Sequence, residues 1–139
     1  LMQFDPWEHA AELAKRLNSS SDVRLIVALG AGWCHKCFYL RPVFDVFSEQ
    51  ASEKDLFLWL DIDEHISFIG DYIPDDLPEL LIYRQGLLLE RGILTSDTDC
   101  LAAILSRPTT LPADAVDPGV WRRLACEDWA TTPGHPQVR

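Results

Sequence analysis

Near the N-terminus, Trp7, Ala10, Ala11, Ala14 and Leu17 recur at helical spacing. Asp5, Pro6 and Glu8 ahead of them read as a cap, a first-turn proline and the far side of a capping box. Segment 23–29 is apolar without clean alternation, the pattern of a central strand covered on both faces. Leu40, Val43, Phe44, Phe47 and Ala51 then lay a stripe along a helix predicted over 38–50, which Pro42 should kink. A second buried strand is predicted over 56–61, followed by a short helical piece over 63–69 that Gly70 can end. After a loop at 74–78, strands over 79–84 and 87–91 flank Gln85-Gly86 and form a hairpin. Ser96 and Asp97 can cap a helix carrying Leu101, Ile104 and Leu105. Segment 108–118 reads as a Pro-rich linker. Val120, Trp121, Leu124, Ala125 and Trp129 share one face of a short amphipathic helix, and 131–139 should fray. Strand–helix–strand units demand parallel pairing and the hairpin adds antiparallel strands, so the class is α/β with a central mixed sheet between helices.

Length and charge narrow the function. The 139 residues suit one domain, and 47% hydrophobic content can bury a core. A net charge of −10 argues against nucleic acid as a partner and against an acidic membrane surface. No apolar stretch is long enough for a membrane span. Residues 1–5 do not read as a signal peptide, and Leu1 before Met2 leaves room for a removed leader; with sparse cysteines the expected location is cytoplasmic.

The chemistry concentrates in Trp33-Cys34-His35-Lys36-Cys37, where the first strand gives way to the helix. A cysteine at a helix N-terminus meets unpaired N–H groups and the positive end of the dipole, which favour thiolate, the nucleophilic form. Cys37 lies one turn on, within disulfide reach. Zinc would want four ligands and no second close pair of cysteines exists, so a metal site is not expected. Cys100 and Cys126 read as packing residues, Asp61 and Asp63 as helix-capping residues, and His65 as a surface residue. The Leu87–Leu89 run reads as edge-strand core.

With Pro42 five residues past Cys37, Leu60-Asp61-Ile62-Asp63, Pro78 ahead of the hairpin and Gly92 before the last core helix, segment 23–107 resembles the thioredoxin superfamily. The resemblance implies a thioredoxin fold over 1–107, with 108–139 as a C-terminal extension. It implies exchange of a dithiol for a disulfide on protein substrates, without a bound cofactor. Cys34 would attack and the more buried Cys37 would resolve. Trp33 would flank the exposed sulfur. Pro78 would be a cis-proline facing the disulfide, turning the Leu77 backbone towards an extended substrate strand. His35 and Lys36 would tune the Cys34 pKa downward, opposed by Asp75 or Asp76 if these lie near.

Two departures mark a divergent member. The buried carboxylate that thioredoxins carry six residues before the first cysteine is Ala28 here, and its usual lysine partner is Trp59. A strand-end aromatic common in the family is Gly30, and Gly32 precedes Trp33, so a looser loop is expected. The rival reading is a chaperone-like binding module for a dedicated partner, with weak or no redox turnover. The Trp121/Trp129 stripe would then be a candidate partner contact, although packing on its own domain is the simpler expectation.

Overall fold

The computed structural model describes residues 3–19, 21–95, 98–106 and 115–126, without the side chains of 98–100 and 126. The helices are α1 (Ala10–Leu17), α2 (His35–Gln50), α3 (Ile66–Ile69), α4 (Thr98–Ser106) and α5 (Val120–Cys126). The strands are β1 (Arg24–Gly30), β2 (Asp55–Asp61), β3 (Glu79–Arg84) and β4 (Leu87–Ile93), in the order β2-β1-β3-β4. β1 runs parallel to β2 and antiparallel to β3, and β3 is antiparallel to β4. The mixed sheet expected from the chain order is therefore present.

The missing alternation in β1 has a simple cause: both faces of the sheet are covered. Leu25, Val27 and Leu29 join Leu56, Leu58, Leu60, Leu81 and Tyr83 in one apolar cluster with residues of α1, α3 and α5. Ile26 and Ala28 point the other way and join Phe57, Trp59, Leu80 and Ile82, with α2 and α4 above them. β2 lies at one edge, where Phe4 adds a single parallel bridge to Leu58 and its N–H donates to the Phe57 carbonyl at 3.0 Å.

Two Asp-x-x-x-His pairs shape the entries to α1 and α3. Asp5 Oδ1 accepts from the N–H groups of Trp7 and Glu8. The reciprocal bond comes from His9 rather than the expected Glu8: the Asp5 N–H donates to His9 Nδ1 at 2.8 Å. Asp61 repeats the pattern, capping the N–H groups of Asp63 and Glu64 while its own N–H donates to His65 Nδ1 at 2.8 Å. His65 is thus a half-buried acceptor built into the turn, not a plain surface residue. Helix α2 starts three residues earlier than predicted, at His35, because Cys34 is its N-cap, and it runs on through Pro42.

The hairpin turn places Gln85 at φ 54° and Gly86 at φ 77°, two successive left-handed residues of a type I′ turn that matches the twist of its strands. A register shift after Ile82 lets β4 bulge, and Leu87 is exposed where edge-strand core was expected.

The domain boundary expected at residue 107 and most of the expected linker lie outside the described residues. Beyond them the chain returns to the sheet. Val120, Trp121 and Leu124 are buried in the cluster shared with α1 and α3. The Tyr83 hydroxyl donates to Asp117 Oδ1 at 2.6 Å, Asn18 Nδ2 to the Ala125 carbonyl at 3.0 Å, and Arg123 Nη1 to the Phe68 carbonyl at 3.1 Å. Trp121, named from sequence as a candidate partner contact, has 9% of its surface exposed and serves the core instead; Trp129 lies outside the described residues.

Because Leu124 is 1% exposed, Leu124→Ala should cost about 2–4 kcal/mol, read as a lower urea midpoint for the whole chain. An unchanged midpoint would mean that α5 does not share the core.

Candidate active site

β1 delivers the chain to the sheet end at Gly30, and α2 leaves from Cys34. Cys34 and Cys37 are joined as a disulfide, with Cα atoms 5.3 Å apart. The Cys37 N–H donates to Cys34 Sγ at 3.1 Å, so the sulfur occupies the N-cap position of a 16-residue helix. In the reduced protein this N–H, together with the helix dipole, would favour the Cys34 thiolate over the thiol. Cys34 is 9% exposed and Cys37 4%, so the order matches expectation, but the first sulfur is less open than an accessible nucleophile was expected to be. The reason is packing: Cys34, Cys37, Ala31 and Leu77 share one buried cluster with Ala28, Trp59 and Leu80.

The structure distributes the other named residues around this pair. Trp33 is 70% exposed, and its indole N–H donates to Asp63 Oδ2 at 3.2 Å. His35 is exposed and meets the Tyr39 ring edge-on, with centroids 5.0 Å apart. The Leu77–Pro78 bond is cis, and the Pro78 carbonyl accepts from the Leu94 N–H at 2.9 Å. Lys36 Nζ donates to Asp76 Oδ2 at 2.7 Å, while Asp76 Oδ1 accepts from the Leu77 N–H at 2.8 Å. The Lys36 ammonium, aided by the Leu77 N–H, holds the Asp76 carboxyl below the usual carboxylate range. So the lysine expected to tune Cys34 is already paired, and the N–H expected to meet substrate is already engaged.

The departures at Ala28, Gly30 and Trp59 form one packing unit. Ala28 and Trp59 are partners across β1 and β2. The Trp59 ring lies over Gly30, where an added Cβ would fall 2.5 Å from Trp59 Cζ2. Gly30 is therefore required by the tryptophan and does not mark a loose loop. Trp59 also meets Phe44 edge-on, and the Arg41 guanidinium sits 5.1 Å from its ring centroid. Together Gly32, Cys37, Phe38, Arg41, Trp59 and Asp61 contribute to a cleft of about 330 Å³ beside the disulfide. Sequence reasoning missed Arg41 and gave Asp76 only a general role; the one local signal for Asp76 was its place immediately before Leu77-Pro78.

Among the described residues no three His, Cys, Asp or Glu side chains are grouped to hold a metal ion, and no helix is long and apolar enough to cross a membrane.

Comparison with known proteins agrees with this geometry. The thioredoxin family model matches residues 7–107. A thioredoxin of Chlorobaculum thiosulfatiphilum is 28% identical over 73 residues, covering 52% of this chain and 68% of the relative. One of Rickettsia typhi is 30% identical over 66 residues, covering 48% and 63%. The chain thus spans about two thirds of the curated relatives it matches. Among solved structures, a thioredoxin from Nicotiana alata superposes with a TM-score of 0.59 at 19% identity, covering 78% of this chain and 91% of that one. The germline-specific thioredoxin Deadhead from Drosophila melanogaster gives 0.57 at 20%, covering 69% and 90%. At these identities the structural likeness concerns the fold.

Glu79, next to Pro78, is 4% exposed and accepts a hydrogen bond from the Tyr72 hydroxyl. Burial pushes its carboxyl up, opposed by that hydroxyl and by Arg91 3.6 Å away. A raised folded-state value means that the native protein holds the proton more tightly. The contribution of Glu79 to stability is then present at acid pH and is lost as pH rises through the folded value. Glu79→Gln keeps an oxygen for Tyr72 and should gain on the wild type as pH rises from the ordinary carboxylate range towards neutrality, read as urea midpoints. A midpoint difference independent of pH would contradict this.

Proposed function

The chain belongs to the thioredoxin family, and from that premise we propose that it is a thiol–disulfide oxidoreductase acting on protein substrates. The observation that carries the reading is Cys34 Sγ at the N-cap of α2, bonded to Cys37 and accepting its N–H. In the reduced form the Cys34 thiolate attacks one sulfur of a substrate disulfide and expels the other as a thiolate, leaving a mixed disulfide. Cys37 then loses its proton and attacks Cys34 Sγ, expelling the second substrate thiolate. Two electrons pass to the substrate and the Cys34–Cys37 disulfide forms. The reverse sequence oxidises a substrate dithiol.

In this reading Trp33 flanks the reacting sulfur, and Leu77 with Pro78 presents the substrate as an extended strand. His35 and Lys36 adjust the thiolate, with Lys36 moderated by Asp76. Residues 1–107 form the thioredoxin-like unit and the helical part of the extension completes its core. Ala28 opposite Trp59 and the small exposure of Cys34 favour a second reading, a dedicated binding module with little redox turnover.

Insulin reduction by the whole chain separates the two: turnover that Cys34→Ser abolishes supports exchange. Cys37→Ser should trap a mixed disulfide through Cys34. Absence of any adduct while Cys34 remains alkylatable would leave the binding module.

A further inference from the structure

The donor that a docking strand would use is occupied in the oxidised form. Asp76 Oδ1 takes the Leu77 N–H and Asp76 Oδ2 takes the Lys36 ammonium, so one carboxylate bridges the first turn of α2 and the loop before Pro78. A substrate carbonyl cannot pair with the Leu77 N–H until that carboxylate swings away. The bridge can open readily: the Lys36 and Asp76 side chains are 51% and 56% exposed, and such pairs add little stability. Once displaced, the carboxylate has given up the Leu77 N–H, on a chain of net charge −10. A visitor that brings a cation gives the displaced oxygen a new charged partner. A neutral visitor leaves the carboxylate to Lys36 and to water, and an acidic one adds like charge.

We infer that Asp76 is a specificity-determining residue. It gates the Leu77 N–H and selects substrates that carry Lys or Arg beside the attacked cysteine. The inference rests on the exchange reading and names its substrate class: basic, extended segments flanking a disulfide.

The test uses the reduced full chain and three disulfide-bonded peptides, identical except for Lys, Gln or Glu next to the cysteine. The wild type should rank them Lys, Gln, Glu in kcat/KM, with at least about a fivefold spread between the ends at low salt. The spread should shrink at high salt, because exposed charges are screened. Asp76→Ala should lower KM for the Gln peptide and cut the spread below about twofold, the coupling of one exposed pair being removed. Asp76→Asn leaves a weaker, uncharged acceptor for the Leu77 N–H, so it should lose the Lys preference and lower KM for the Gln peptide less than Asp76→Ala does. A wild type without charge preference, or a preference that survives in Asp76→Ala, overturns the inference while exchange stands. If the wild type turns over none of the peptides and Cys37→Ser traps none, exchange itself fails and the gate with it.

Discussion

One hydrogen bond joins the chemistry to the fold: the Cys37 N–H pointing at Cys34 Sγ. It exists because β1, covered on both faces, delivers the chain to the end of the sheet, where α2 must begin with four unpaired N–H groups. A sulfur at the N-cap satisfies one of them. The same geometry that finishes the helix favours negative charge on that sulfur. Structural need and chemical poise coincide at a single atom.

Behind that atom the interior has been rebuilt without charge. A carboxylate at position 28 facing a lysine at 59 would need mutual pairing to survive burial, whereas alanine opposite tryptophan needs only space. The space comes from Gly30, which has no Cβ to meet the indole, and the ring is closed in by Phe44 and Arg41. Three substitutions that look independent along the chain are one packing solution. β1 carries no carboxylate behind Cys37, and the cleft beside the disulfide is lined instead by Asp61 and Arg41.

Charge has been moved to the rim. Lys36, Asp76 and the Leu77 N–H form a chain of contacts across the site, and Asp63 holds the exposed Trp33 indole. Interactions at such exposure are individually weak, so these contacts add little to stability. The buried contacts of the sheet form the frame, and the exposed polar contacts line the rim beside the disulfide.

The order of strands and helices and the Cys34–Cys37 pair were legible along the chain, because each depends on local periodicity or on spacing within one turn; the cis bond before Pro78 was expected only from the family resemblance. Segment 23–29 announced a two-faced strand by its lack of alternation, and Asp5 announced a helix start by its chemistry. What the linear pattern left open was decided by contacts between residues far apart. Trp121 read as core with a partner-binding arm as the alternative until Tyr83 and Asp117 met beside it. Gly30 could read as looseness until Trp59 covered it. Asp76 could read as a nearby charge until it bridged Lys36 and Leu77. Short-range geometry selects elements residue by residue, but the free space around a side chain and the partner of a charge are properties of the assembled sheet, and only folding sets them.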